Sequence, residues 1–345
     1  MSGSGKRVRK FINFLFVIAV VGLAAIAFKG LPSTSPSTGE TSNASDAPSL
    51  RIETTTSPTA STATPTKTTN EVVILESTRG ISKLVSINTE TKVRTTLYTD
   101  ADESIKIKQV GNLTADGSQA LVLMGDPAQD FGGGLYTIAL DGSGTKTLLI
   151  DQFASPWPPV YSPDGNKIAY VFFSNAERES GFFLVVANRD GSNKRELVRE
   201  DQAITQPVFS PDGTEIGYFR TGSDSGSGSI MGVKITGGEP RELATYTGRV
   251  PYDLAWGKGT LLAFVDGTGD AASLYEIATN GQDPTQLTTP TGAESRPVYA
   301  PDGTQLAFGS SAGGSSSITL YTRETSQSVN LGSGSVVLGW REGRG

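Results

Sequence analysis

The sequence predicts an all-β fold, a six-bladed β-propeller of four-stranded antiparallel blades. Three observations predict it. First, Ser162-Pro163-Asp164-Gly165 returns unchanged as Ser210-Pro211-Asp212-Gly213, and with one substitution as Ala300-Pro301-Asp302-Gly303. Each copy follows a large aromatic residue (Tyr161, Phe209, Tyr299). Second, fainter copies end at Gly117, Gly259 and Gly343, so the glycines recur at spacings of 48, 48, 46, 44 and 40 residues. Blades of roughly 40–50 residues have this period. Third, no segment beyond the N-terminus sustains the i, i+3, i+4 apolar spacing of a helix.

The chain opens with Lys6-Arg7-Val8-Arg9-Lys10, followed by the uncharged run Phe11 to Phe28. Eighteen helical residues span roughly 27 Å, close to a ~30 Å hydrocarbon core. Twelve of the eighteen are Phe, Ile, Leu or Val. Residues 11–28 are therefore expected to form a transmembrane helix. The basic residues within 1–10 hold that end in the cytoplasm and leave the remainder outside. Ala25-Ile26-Ala27 also fits a cleavage site, which gives the alternative of a signal peptide and a secreted or periplasmic product. With no cysteine in the chain, lipoprotein anchoring is excluded.

Residues 31–69 are mostly Ser, Thr and Pro, as in Pro58-Thr59-Ala60-Ser61-Thr62-Ala63-Thr64-Pro65. With almost nothing apolar to bury, this stretch is expected to be a disordered linker, about 30–40 Å end to end. The propeller is assigned to residues 70–345, ample for one domain of this kind.

Within one period, Ile168 to Phe173 and Phe182 to Val186 read as strands, as does the run ending at Val198. The next period repeats the order with Ile216 to Phe219, Ile230 to Ile235 and Leu243. A second turn series at Asp141-Gly142, Asp190-Gly191, Gly237-Gly238 and Asn280-Gly281 lies out of phase with the first. Such pairs mark tight hairpins, because glycine adopts φ > 0 without a Cβ penalty. Two turn series plus two looser loops give four strands per period. Val336 to Trp340 matches the first strand of a blade, whereas the region from Val72 begins without one. The C-terminal strand is thus expected to complete the first blade, covering edges that an open array would expose.

The runs Tyr161 to Tyr170, Phe209 to Tyr218 and Tyr299 to Phe308 resemble the WD40-like repeat of TolB-type β-propellers. The resemblance implies a six-bladed propeller that works outside the cytoplasm as a platform for other proteins. TolB itself carries a small α/β domain before its propeller, where this chain has the low-complexity stretch.

Composition narrows the chemistry. The chain has no histidine, which removes Ser-His-Asp and Cys-His catalysis and His-dependent metal sites. No cofactor or metal site is expected. A net charge of −6 argues against nucleic acid as a partner. Gly309-Ser310-Ser311-Ala312-Gly313 fits a nucleophile elbow by letter, but reads as a Gly/Ser loop between strands. Asp141-Gly142-Ser143-Gly144-Thr145-Lys146 lacks the residue order of a phosphate loop and reads as a hairpin turn.

The reading is a non-catalytic binding module that offers the mouth of its channel to a protein, peptide or glycan. Aromatic and Arg side chains before each first strand are the candidate contacts: Trp157, Gln206, Arg249, Tyr252 and Arg296. Packing of Trp157 and Tyr252 beside their prolines is the competing interpretation. The alternative function is a carbohydrate-active enzyme using paired carboxylates. Its candidates are Asp126, Asp130, Glu177, Glu179, Glu200, Asp201, Asp224, Asp266, Asp270 and Glu294.

Overall fold

The computed structural model describes residues 70–343, apart from 79, 103, 129–131, 156, 177–178, 206, 223–226, 248–250, 268–270, 280–282 and 290–291. The expected membrane helix and linker lie outside the described residues. Among those residues, no helix is long and apolar enough to cross a membrane.

Six four-stranded antiparallel sheets account for the strands. Blade 1 contains β1 (Asn70–Thr78), β2 (Ile81–Asn88) and β3 (Arg94–Thr99). Blade 2 contains β4 (Lys106–Leu113), β5 (Gln119–Gly125), β6 (Gly133–Ala139) and β7 (Lys146–Phe153). Blade 3 follows with β8 (Val160–Tyr161), β9 (Lys167–Ala176), β10 (Glu179–Asn188) and β11 (Arg195–Glu200). Blade 4 holds β12 (Val208–Phe209), β13 (Glu215–Thr221), β14 (Ser227–Lys234) and β15 (Arg241–Thr247). Blade 5 holds β16 (Tyr252–Trp256), β17 (Leu261–Asp266), β18 (Ser273–Ala278) and the two-residue β19 (Thr285–Gln286). Blade 6 holds β20 (Ala293–Tyr299), β21 (Gln305–Ala312), β22 (Ser315–Thr322) and β23 (Gln327–Ser333).

The last strand, β24 (Val336–Glu342), joins blade 1 in the order β24-β1-β2-β3. Its register runs from Asn70 opposite Glu342 to Leu75 opposite Val336, with an irregularity between Val73 and Ile74. The two ends of the domain therefore share one sheet, as the repeat phase requires.

Strand periodicity explains how the blades pack. Alternate residues of a strand point to opposite faces of its sheet. Val73 accordingly joins an apolar cluster with Val110 and Val122 of blade 2. Its neighbours Val72 and Ile74 join Ala307, Ile318 and Leu320 of blade 6. Four further clusters fill the interfaces between blades 2 and 3, 3 and 4, 4 and 5, and 5 and 6. Each sheet is thus apolar on both faces, which only a closed ring satisfies at every interface.

The recurring phrase is a turn that ends each first strand. In blade 4, the Gly213 amide donates to the Ser210 carbonyl, and Gly213 takes a φ of +70°. The buried Ser210 hydroxyl donates to Asp212 Oδ1 at 2.6 Å and accepts the Glu215 amide at 2.9 Å. Blade 3 repeats this arrangement with Ser162, Asp164 and Lys167. In blade 6, Ala300 stands in the serine's place, and Asp302 Oδ1 accepts only from Thr304.

The loop at Asp141-Gly142 is a turn between β6 and β7, with Asp141 Oδ1 accepting the Ser143 amide. Asn280-Gly281 lies outside the described residues. One expectation needs correction: Gly309 to Ala312 belong to β21, and only Gly313 and Gly314 form the turn. The Ile318–Gly309 pairing draws these small residues into the ladder, which a reading based on Gly/Ser content overlooked.

Candidate functional site: the axial channel

The inner strands β4, β8, β12, β16, β20 and β24 converge on a cavity of about 550 Å³. Its walls are largely proline, aliphatic and aromatic: Pro158, Pro207 and Pro297 towards the strand starts, and Tyr161, Phe209 and Trp340 further along. At the far end it reaches the recurring turns, through Ala115, Pro163, Pro211, Lys258 and Pro301. A volume in this range suits a small ligand or a few residues of a chain.

Three inner strands are irregular at equivalent depth. Ladder shifts fall between Val110 and Leu113, between Tyr252 and Ala255, and between Ser295 and Val298. Asp253 and Arg296 sit at two of these bulges with φ of +56° and +49°. Bulges re-aim side chains next to functional sites, and φ > 0 in a non-glycine residue is held only by compensating contacts. Here the Arg296 amide donates to Asp253 Oδ2 at 2.8 Å. The Arg296 guanidinium crosses to blade 2, where Nη2 donates to the carbonyls of Val110 and Gly111 at 3.0 and 3.1 Å. Gly111 is required there, because a Cβ would lie 2.4 Å from the Pro159 carbonyl oxygen. Burial lowers the Arg296 pKa, partly offset by Asp253. A cation thus closes the apolar cavity at the end remote from the turns.

Beside the channel, Tyr252 donates to the Glu294 carbonyl at 3.5 Å. Burial, with the charges of Asp253, Asp266 and Glu294, raises its phenol to about 12. Glu294 is buried; its Oε2 accepts from the Leu274 amide at 2.7 Å and from the Thr288 hydroxyl at 2.5 Å. Desolvation raises its pKa, and these hydrogen bonds only partly offset it. Glu294 therefore ties blade 6 to β18 of blade 5 and is not part of the cavity wall.

Of the sequence-predicted contacts, Arg296 lines the channel. Trp157 is partly buried among Ile204, Val160 and their neighbours, and its Nε1–H donates to the Ile204 carbonyl at 3.1 Å. Tyr252 packs against the core between blades 5 and 6. Gln206 and Arg249 lie outside the described residues. So do Asp130, Glu177, Asp224 and Asp270, and the Glu179 side chain. Glu200 pairs with Arg220 at 3.3 Å. Asp126 accepts the Ala128 amide in its own loop, and Asp201 is exposed. Asp266 and Glu294 both act electrostatically on Tyr252. Among the described residues, no group of three or more acidic side chains is placed to hold a metal ion. Sequence reasoning missed Asp253 and Asn112. Asn112 bridges blades 2 and 3 by accepting the Tyr161 amide and donating to its carbonyl. Neither breaks a motif, and only the ladder irregularities reveal them.

A ring of six such sheets around an apolar cavity, with its ends joined in one blade, defines a six-bladed β-propeller. The model of the TolB beta propeller domain family matches residues 167–333, and the six-bladed fold of the described residues resembles that of TolB. TolB from Acinetobacter baumannii superposes with a TM-score of 0.62 at 16% identity, over 79% of this chain and 66% of that one. A TolB from Agrobacterium tumefaciens gives 0.57 at 16% identity, over 81% of this chain and 100% of that one. A chain of a nidogen/laminin complex gives 0.56 at 13% identity, over 79% and 98% respectively. At these identities the likeness is one of fold. No curated protein matches the sequence.

Proposed function

We propose that this chain is a membrane-tethered, extracytoplasmic propeller that binds a protein, peptide or glycan in its axial channel without catalysing a reaction. One observation carries the reading: all six blades contribute their inner strands to one apolar cavity that reaches the turn face. The TolB-type fold supports a binding role, and the uncharged run Phe11 to Phe28 supports the tether. The chain enters the domain on the same face. Asn70 pairs with Glu342, and a Cβ on the turn residue Gly117 would meet the Arg341 Cβ at 2.4 Å. The start of β1 and the turn end of the cavity therefore share one side of the ring.

Photoreactive residues at Pro211 and Lys258, on the cavity rim, test this in the full-length protein in membranes. One covalent adduct is expected from both rim sites and none from Val93, exposed just before β3, or Val329, exposed on β23. Equal labelling at rim and outer sites contradicts channel binding.

A further inference from the structure

Arg296 adds chemistry to the channel. A guanidinium has five N–H donors. The two backbone carbonyls of blade 2 engage Nη2, and among the described residues no hydrogen bond to Nη1 or Nε and no carboxylate within ion-pair distance of Arg296 is found. Asp253 lies close enough to act on its charge but spends Oδ2 on the backbone amide. A planar cation held by a bulge at the end of an apolar cavity suits a carboxylate, which it can meet with two parallel hydrogen bonds. Lys258 at the rim adds a second positive charge along the same wall.

We propose that the channel takes the C-terminal carboxylate of a polypeptide, its last apolar residues against the proline and aromatic walls and its carboxylate on Arg296. This deepens the binding role proposed above and rests on it. A polypeptide is favoured over an alkyl acid because the wall is not uniformly apolar. Asn112, Thr114, Asp253 and Lys258 also line it, and peptide groups keep such polar surroundings solvated, whereas an alkyl chain would only desolvate them.

Two of the chain's three tryptophans, Trp256 and Trp340, line the cavity and supply the signal. Full-length protein in detergent is titrated with acetyl-Ala-Pro-Leu-Leu as the free acid, as its C-terminal amide, and with decanoate. The acid is expected to bind more tightly than the amide by on the order of 10–100-fold, the range of a charge-assisted hydrogen bond. Arg296→Gln is expected to remove that preference and Arg296→Lys to keep part of it. The acid-to-amide ratio of the unaltered protein gives the answer even where Arg296→Gln does not fold. Equal binding of acid and amide, no binding of either, or decanoate binding as tightly as the acid overturns the inference. Rim-specific adducts that persist alongside equal acid and amide affinities reject the carboxylate and leave the channel-binding function standing.

Discussion

Trp340→Ala probes the closure of the ring at one side chain. Trp340 is 7% exposed, packs in the cluster that joins blades 6 and 1, and donates Nε1–H to the Val298 carbonyl of β20 at 3.1 Å. Truncating a buried tryptophan costs about 3–5 kcal/mol. At about 2–4 °C per kcal/mol for a domain near this size, melting should fall by roughly 6–20 °C. Trp340→Phe separates the two contributions. It retains most of the packing but leaves the Val298 oxygen without its donor, a loss of about 1–2 kcal/mol. Val93→Ala, at a residue 61% exposed on the outside of blade 1, is the control and should stay within about 0.5 kcal/mol. Circular dichroism melts and urea titrations of the full-length protein measure all three. A Trp340→Ala protein that melts with the control would refute the view that β24 holds blade 6 to blade 1.

Other consequences follow from the turns and the buried acid. Ser210→Ala removes a buried hydroxyl that both donates and accepts, so urea midpoints should show a loss of about 1–3 kcal/mol, whereas Ala300→Ser should gain up to about 1 kcal/mol. Hydrogen bonds from neighbouring hydroxyls and amides lower Asp116, Asp164 and Asp212, and Asp302 is lowered by the Thr304 amide first. Their contribution is present above the unfolded value of 3.8 and lost as pH falls through the lower folded values, so acid below about pH 4 should destabilise the ring. Glu294 has the opposite sign. Its folded pKa is raised, so its contribution is complete below 4.5 and is lost as pH rises through the folded value. The stability of Glu294→Gln relative to the unaltered protein should therefore improve between pH 4 and pH 7, and a difference independent of pH would contradict that assignment. Gly111→Ala should destabilise the domain by over about 1 kcal/mol, because its Cβ meets backbone that cannot withdraw.

The architecture was legible because it is written in local chemistry that repeats. Asp-Gly turns need φ > 0, and runs such as Ile168 to Phe173 need a buried sheet, so each period declares itself without knowledge of the others. Closure was legible for the same reason, since Val336 to Trp340 is a first strand lacking its blade. The site was less so. Arg296 was chosen as a large cation before a first strand, but its reach across the ring to Val110 and Gly111 depends on a bulge that leaves no letter signature. Trp157 has the composition of a binding residue, and its Nε1–H is used on Ile204 within the core. Gly309 to Ala312 look like loop because small polar residues dominate, yet pairing on both sides makes them strand. Composition reports what a segment prefers, and tertiary pairing decides what it becomes.

Amide hydrogen exchange along β24 tests the central claim most directly, namely that the two ends of the domain close one cooperative ring around the channel. The amides of Val337 to Trp340 should exchange as slowly as those of Ile168 to Val171 in blade 3, because opening either requires the whole ring to open. Rapid exchange in β24 with blade 3 still protected would contradict the closed ring, and with it the channel as a fixed binding site.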